Sequence, residues 1–294
     1  MDGGKLEYQS PEEILELPKN QSPTDAGKLI LRGLPVRCLK VFQRITAATE
    51  EELSHILWMS SRTLKTRLRA GRLTPAESDR LYRAARVIGG ALFHCKNDEE
   101  QVRAWLRSPA SKDHDVLPIT LLGTFGGVEL SSHYLERAYF ETYLWEKTKK
   151  EKANEKALYR FYDPLAILSL ERSKDIDREI RKGFPYRSYA LFRKRTLFSV
   201  TEMTQFLWTS STTLSKFRSR GRLSGDVSDR LYRTAVVYYF VNTMVSYHRE
   251  DTQDWLRDQI PGLGGRRPID LMRTEPGVQA VIATACRVLD GMGA

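Results

Sequence analysis

The sequence predicts an all-α fold of two tandem helical domains, each with a helix-turn-helix-like bundle and a further C-terminal helical part, related by a pseudo-two-fold. An internal repeat is the first observation. The string LWMSSRTL at 57–64 recurs as LWTSSTTL at 207–214, and SDRLYR at 78–83 recurs unchanged at 228–233. Both pairs are 150 positions apart, a period the size of a domain. The second observation is apolar spacing of helical period, with no sustained period-two alternation.

The repeat divides the chain of 294 residues into four predicted parts. A polar, proline-bearing N-terminal arm covers residues 1–24, and the first repeat covers 25–140. A densely charged stretch with good helix formers suggests a helical connector over 141–175, and the second repeat follows over 176–294.

The first helices of the repeat are marked by apolar spacing and by a start signal. Leu39, Phe42 and Ile45 are spaced as on one face of a helix. Thr49 is followed three residues later by Glu52, the spacing of a capping box. The sequence therefore predicts a second helix beginning after Thr49.

Two more helices follow in the same repeat. Ser60 or Ser61 is placed to cap the first of them, and Gly71 is placed to end it. The run TPAE at 74–77 then combines a hydroxyl cap, a proline and a glutamate, a strong start signal for a long helix. Ser224 keeps the cap in the second copy.

The last third of each repeat is also predicted to be helical. The stretch 98–108 is a short amphipathic helix, and we expect Trp105 and its counterpart Trp255 to anchor the core. Proline-bounded segments at 117–122 and 267–272 lead into a closing helix.

A helix, a tight turn and a short polar helix form the helix-turn-helix layout of DNA-binding proteins. In the second helix no residue is acidic, and Leu64 and Leu68 are expected to hold it against its own domain. Leu214 and Phe217 replace this apolar pair in the second copy. The residues predicted to contact DNA are Ser61, Arg62, Lys65, Thr66, Arg67, Arg69, Arg72, Ser211, Thr212, Ser215, Lys216, Arg218, Arg220 and Arg222.

Alternatives to DNA contact remain open at this point. The two basic helices could be solvated faces, or they could bind a protein. Their recurrence in register, each without an acidic residue, favours nucleic acid.

The turn departs from the usual pattern at one position. Helix-turn-helix turns commonly offer glycine where φ is positive, whereas Trp58 and Trp208 follow the first helix here. A bulky residue is costly in a left-handed conformation. Either the turn is built differently, or the tryptophan packs into a neighbouring surface.

Composition narrows the class of partner and the compartment. Lys and Arg total 47 against 37 Asp and Glu, a net charge of +10, which favours an anionic partner over a basic but non-binding protein. The three cysteines are widely spaced, so they suggest neither a disulfide framework nor a zinc site. The apolar runs are too short to span a bilayer, and the N-terminus is acidic and polar. We therefore expect a cytoplasmic protein without membrane association.

Catalysis is the weakest functional class. None of the five histidines has a histidine at the matching position of the other copy, and no phosphate loop, catalytic triad or metal-ligand spacing occurs. We expect a binding protein rather than an enzyme, with no cofactor.

The order of motifs resembles one family closely. The series is S-x-x-T-L, then G-R-L and S-D-R-L-x-R, then W-L-R, and finally G-G-R-x-P-I-D-L-M-x-T-x-x-G. It resembles the Xre–MbcA–ParS antitoxins, which partner toxins of the RES-domain type. The resemblance covers nearly all of both repeats and implies a tandem fusion of two antitoxin copies.

The same resemblance implies a toxin-binding stretch in the second copy. Its residues are Gly264, Gly265, Arg266, Arg267, Pro268, Asp270, Arg273, Thr274 and Gly277. The first copy keeps Pro118, Thr124 and Gly127 but has Thr120 where the second has Asp270.

The resemblance implies a type II antitoxin whose C-terminal part covers the NAD-consuming site of a RES-type toxin. The helix-turn-helix parts would bind operator DNA and repress the protein's own operon. The alternative is a DNA-binding regulator without a toxin partner. We further expect the two copies to pair within one chain as a pseudo-dimer.

Overall fold

The computed structural model describes residues 9–19, 21–109, 116–143, 168, 176–246 and 248–289. It divides into two compact units, Met1–Trp145 and Glu146–Ala294. All regular elements in these ranges are helices, and strands are absent from them. The prediction of an all-α fold is confirmed.

The helices of the first unit are α1 Pro11–Ile14, α2 Pro23–Arg32, α3 Val36–Thr46, α4 Glu50–Leu57, α5 Ser61–Ala70, α6 Pro75–His94, α7 Glu99–Leu106, α8 Pro118–Leu121 and α9 Phe125–Tyr143. Those of the second unit are α10 Ile176–Lys182, α11 Tyr186–Thr196, α12 Val200–Phe206, α13 Ser211–Arg220, α14 Gly225–Met244, α15 Arg249–Arg257, α16 Pro268–Leu271 and α17 Glu275–Leu289, with a 3-10 turn at Pro261–Leu263.

The repeat of the sequence is also a repeat of secondary structure. Each helix from α3 to α9 begins at the residue that corresponds to the start of its counterpart among α11 to α17. The predicted connector over 141–175 lies almost entirely outside the described residues.

The long helix of each unit is the centre of its core. In the first unit, α1, α2, α4 and α9 pack against α6, and in the second, α10, α15 and α17 pack against α14. Leu81, Ala84, Ala85 and Ile88 of α6 are fully buried. A helix that is surrounded in this way needs apolar residues on most of its faces.

The predicted helix starts are present. Thr49 and Glu52 form a reciprocal capping box at α4, with the Thr49 amide donating to the Glu52 carboxylate at 2.7 Å. A second box closes the start of α6 at Thr74. Ser60, rather than Ser61, is the residue that caps α5.

The N-terminal segment contributes a short helix to the first unit. Ser10 begins α1 with a capping box, and Ile14 and Leu15 are buried. The Tyr82 hydroxyl on α6 donates to the Glu12 carboxylate. The segment therefore packs on the long helix.

The two tryptophans expected to anchor the core do not do so. Trp105 and Trp255 are only half-buried, whereas the leucines after them, Leu106 and Leu256, are fully buried. The helix face that points to the core passes through the leucine, which leaves the larger ring at the boundary.

A close backbone approach recurs at the same place in both units. Gly33 has φ +82°, and a Cβ added there would lie 2.1 Å from the Leu73 carbonyl oxygen. Gly183 repeats this with φ +84° and 2.1 Å to the Leu223 oxygen. The buried Ser78 hydroxyl accepts the Leu34 amide at 2.7 Å, so the approach is also held by a hydrogen bond.

This approach can be tested with two glycines of the first unit. Gly33→Ala should lower the free energy of unfolding by at least about 3 kcal/mol, since it adds both backbone strain and a steric clash. Gly71, with φ +76° and open space around a Cβ, is the matched control. Gly71→Ala should cost only about 1–2 kcal/mol from the left-handed conformation. Urea denaturation of both variants measures the difference, and equal losses would contradict the proposed contact.

Candidate functional site

Each unit presents the two helices and tight turn that the sequence predicted. In the first unit, α4 ends at Leu57 and α5 begins after Ser60, whose hydroxyl accepts the Thr63 amide at 3.1 Å. Gly71 ends α5 in a left-handed conformation. Helices α12 and α13 repeat this arrangement in the second unit.

The turn tryptophans adopt the conformation that glycine usually takes. Trp58 has φ 56° and ψ 49°, in the left-handed region, and Trp208 has φ 49°. The guanidinium of Arg80 lies 4.7 Å from the centre of the Trp58 ring, and that of Arg230 lies 4.6 Å from the Trp208 ring. Cation–π contact and packing on the long helix therefore offset the cost of the backbone conformation.

The arginine of the repeated W-L-R string attaches the helix-turn-helix to the rest of each unit. Glu52, already part of the α4 capping box, also accepts Arg107 at 3.0 Å. Arg107 additionally donates to the carbonyls of Thr46 and Ala47, at the end of α3. In the second unit Arg257 reaches Glu202 at 2.9 Å. The repeated W-L-R string thus joins α7 to α4, and α15 to α12.

The outer face of α5 carries most of its predicted DNA-contacting residues. Exposed residues on this helix are Ser61, Arg62, Lys65, Thr66 and Arg69. Leu64 is buried, as expected, but Leu68 is 39% exposed. The prediction that Leu68 holds α5 against its domain is wrong. Only the Leu64 side of the helix faces the core.

Three of the predicted arginines are engaged within their own domain. Arg67 Nε donates to both carboxylate oxygens of Glu77, at 3.0 and 2.9 Å, and Glu77 also belongs to the capping box that Thr74 begins at α6. Arg72 donates to the Gly33 carbonyl, and Arg222 donates to the Gly183 carbonyl. These three side chains help to hold α5 and α13 in place, and their contact with DNA stays a prediction.

Helix α13 carries the corresponding exposed face in the second unit. Leu214 and Phe217 are buried, as predicted. The remaining predicted residues of the helix, which are exposed, are Ser211, Thr212, Ser215, Lys216, Arg218 and Arg220.

The second predicted site lies in the loop after α15. The Ile260 amide donates to the Arg266 carbonyl at 3.1 Å, and the Gly265 amide donates to the Ile260 carbonyl at 3.1 Å. Gly264 and Gly265 both have positive φ, 66° and 70°. The two glycines allow the chain to close into a tight exposed turn, because side chains disfavour this conformation.

The predicted toxin-binding residues divide into exposed and buried sets. Exposed residues are Gly264, Gly265, Arg266, Arg267 and Asp270. Arg267 makes a bidentate pair with Asp270, at 2.8 and 3.0 Å, and this pairing raises the pKa of the Arg267 guanidinium. With both side chains about half exposed, the pair is open to competition from a partner's charges.

The buried set shapes the loop. Pro268 begins α16, and Pro268, Thr274 and Gly277 are all buried. A Cβ on Gly277 would lie 2.0 Å from the Leu271 carbonyl oxygen. Arg273 is half-buried, and its carbonyl accepts Arg233 at 2.8 Å. Pro268, Thr274 and Gly277 thus support the loop from within, and their contact with a toxin stays a prediction.

Sequence reasoning missed the arginine that supports this region. Arg233 lies 3.8 Å from the Glu275 carboxylate at the start of α17, and both side chains are buried. In the first unit Phe125 replaces Glu275, and the Arg83 guanidinium lies 5.9 Å from its ring. The signal was present, because both arginines end the unchanged SDRLYR string.

The loop of the first unit that corresponds to the one after α15 lies only partly within the described residues. Residues 110–115 lie outside the described residues. Pro118 again begins a short helix, and Thr120 is exposed at the position of Asp270. The Thr120 carbonyl lies 3.0 Å from His55 Nε2, which joins this segment to α4.

The described ranges give little support for a metal site, a reactive thiol or a membrane-spanning helix. These residues contain no group of three or more side chains placed to hold a metal ion. Burial raises the pKa of the Cys38 thiol to about 11, so it stays protonated at neutral pH. Among the helices of the described ranges, none combines the length and apolar composition needed to cross a bilayer.

The contact between Arg80 and Trp58 can be tested directly. Arg80→Met keeps the side-chain length but removes the cation over the ring and the hydrogen bond to the Leu57 carbonyl. We expect a loss of about 1–3 kcal/mol in stability. Hydrogen exchange should rise most across the turn at 58–60. Arg69→Met on the exposed face of α5 is the control, and an identical exchange pattern for both variants would contradict this role.

Two family models match the chain. The Xre-like helix-turn-helix domain of antitoxins matches residues 25–86, from α2 into α6. The C-terminal toxin-binding domain of Xre/MbcA/ParS antitoxins matches residues 244–284, which include α15, the exposed loop and α16. No curated protein matches the chain. The chain therefore carries a segment similar to the helix-turn-helix domain of Xre-like antitoxins in its first unit and one similar to their C-terminal toxin-binding domain in its second.

Proposed function

We propose that this antitoxin binds a RES-type toxin, covers its NAD-consuming site by stoichiometric occlusion, and represses its own operon through α5 and α13. It would act in the cytoplasm by binding alone, without a cofactor. The observation that carries the proposal is the family match over 244–284, because that segment holds the exposed loop of the second unit. The type of toxin follows from the motif resemblance.

The loop after α15 is suited to a partner rich in carboxylates. Arg266 is exposed at the end of a turn that two backbone hydrogen bonds hold in place. A preorganised guanidinium loses little entropy on pairing with a carboxylate, and it can do so through two hydrogen bonds. Asp270 offers an acceptor beside it once Arg267 turns to the partner.

The DNA part of the proposal depends on two exposed helix faces. Neither α5 nor α13 contains an acidic residue, and the chain carries a net charge of +10. Lys65 lies 3.9 Å from Glu50, but both side chains are more than half exposed. Such a surface pair is weak and can yield to a phosphate.

The proposal includes a fusion of two antitoxin copies that pair around a pseudo-two-fold axis. Its support is the repeated sequence and the matched order of helices within each unit. Antitoxin dimers would place two recognition helices on two half-sites.

Loss of the exposed loop charges should weaken toxin neutralisation. We expect Arg266→Ala with Asp270→Ala to lower toxin affinity by at least tenfold, since each removes a charged partner at an interface. The corresponding residues of the first unit, Val116 and Thr120, supply the matched control, Val116→Ala with Thr120→Ala. Affinity is measured with the product of the neighbouring gene, and neutralisation by the rescue of cell growth.

Full rescue by the Arg266 and Asp270 double variant would exclude this loop as the toxin contact. Failure of the wild-type chain to co-purify with the neighbouring product would favour the alternative, a DNA-binding regulator without a toxin partner. The two results can be told apart. Full rescue means that antitoxin and toxin still form a complex through another contact, whereas failure to co-purify means that they form none.

Each recognition helix should contribute phosphate contacts. Lys65→Ala or Lys216→Ala should weaken binding to promoter DNA and lower the slope of log affinity against log salt by about 0.9 for each lost contact. Lys28→Ala removes the same charge from α2, where Lys28 pairs with Asp25, and should leave the slope unchanged. Titrations at several salt concentrations measure this, and a slope equal to that of the wild type for both variants would contradict the assignment.

A further inference from the structure

The two recognition helices are held by the same framework. Both begin at a capping serine, Ser60 and Ser210, and both end at a left-handed glycine. Both turns contain a left-handed tryptophan beneath an arginine of the long helix. Any difference in what the helices bind must therefore come from their exposed side chains.

The exposed stripe of α5 is cationic. Arg62, Lys65 and Arg69 follow one another at i, i+3 and i+7, which places them within about 60° on one side of a helix. All three are exposed, and Lys65 makes only the weak surface pair with Glu50 at 3.9 Å, unlike the bidentate pair of Arg67. These side chains only donate hydrogen bonds.

The same stripe of α13 is made of hydroxyls. Thr212, Ser215 and Ser219 occupy the matching positions, and all three are exposed. The Ser215 hydroxyl donates to the Ser211 carbonyl at 3.1 Å, and the Ser219 hydroxyl donates to the Ser215 carbonyl at 3.2 Å. Since their hydrogens are used within the helix, these serines offer mainly lone pairs to a ligand.

The charges of α13 lie elsewhere on the helix. Lys216 and Arg220, four residues apart, are exposed on one side of the hydroxyl stripe, and Arg218 is exposed on its other side. Arg218 occupies the place of the exposed Leu68 in α5. The two helices therefore carry three exposed cations each in different arrangements.

These differences correspond to different base edges. In the α5 stripe, Arg62 and Arg69 suit the O6 and N7 acceptors of guanine in the major groove, while Lys65 between them suits a phosphate. A hydroxyl that accepts suits the exocyclic amino group of adenine or cytosine, and an exposed leucine suits the methyl group of thymine. One framework thus presents two unlike reading surfaces.

We propose that the operator of this antitoxin is asymmetric, with two half-sites of different sequence. Helix α5 reads a guanine-rich half-site, and α13 reads a half-site whose amino groups face its hydroxyl stripe. This inference rests on the DNA-binding part of the proposed function. A homodimer, by contrast, presents two identical helices and selects two identical half-sites.

The first experiment is selection of DNA from a random pool by the full chain at low salt, followed by sequencing. The expected result is one enriched site that contains two different motifs, one of them rich in guanine. Enrichment of two identical motifs, inverted or direct, would overturn the asymmetry while leaving DNA binding intact. Enrichment of no DNA would overturn the proposed DNA binding itself, and this inference with it.

The second experiment converts one stripe into the other. Thr212→Arg, Ser215→Lys and Ser219→Arg give α13 the stripe of α5, all at exposed positions. Affinity is compared for two duplexes of equal length, the selected operator and one that carries the α5 half-site twice. The ratio of the two affinities should shift at least tenfold toward the symmetric duplex, because each matched pair discriminates between bases.

The ratio separates base reading from added charge, since extra cations strengthen binding to both duplexes alike. The reverse variant, Arg62→Thr with Lys65→Ser and Arg69→Ser, should shift preference toward a duplex that carries the α13 half-site twice. An unchanged ratio in both variants would overturn the assignment of the two half-sites to the two stripes.

Discussion

Each helix-turn-helix depends on a contact between an arginine guanidinium and a tryptophan ring. Arg80 lies over Trp58 in the first unit, and Arg230 lies over Trp208 in the second. A tryptophan in the left-handed region is strained, and it persists only where its surroundings favour it strongly. Here the arginine comes from the buried long helix, so the turn is fixed to the central element of its unit. The orientation of α5 and α13 follows from that turn. A glycine turn would have been less strained but would have lacked this attachment to the core.

The long helix has the same role for the rest of each unit, which explains why SDRLYR recurs without a change. Ser78 holds the Leu34 amide, Arg80 holds the turn tryptophan, and Arg83 reaches the Gly123 carbonyl at 3.5 Å. Three residues of one motif thus join three segments that are distant in the sequence. In the second unit, the loop that follows α15 depends on the long helix α14 through Arg233, which donates to the Arg273 carbonyl. A change in α14 would therefore affect both α13 and the exposed loop after α15.

The two units share this framework but differ at positions where one kind of contact can replace another. Arg67 and Glu77 form an ion pair in the first unit, whereas the second has the buried pair Phe217 and Val227 at these positions. Ionic and apolar contacts can occupy the same place because both satisfy a partly buried boundary between two helices. The buried framework is common to both units, whereas the exposed faces differ. Surface positions away from structural contacts accept substitution at little cost in stability, which leaves them able to diverge in binding.

The sequence by itself determined the helical class, the repeat and most helix boundaries. Caps such as Thr49 with Glu52 and terminators such as Gly71 act through neighbouring residues, so local sequence is enough to locate them. Only the tertiary structure decided which motif residues are exposed. It buried Pro268 and Thr274, engaged Arg67 with Glu77, and exposed Leu68. The physical reason is that exposure is set by what packs against a helix from elsewhere in the chain, and periodicity does not contain that information.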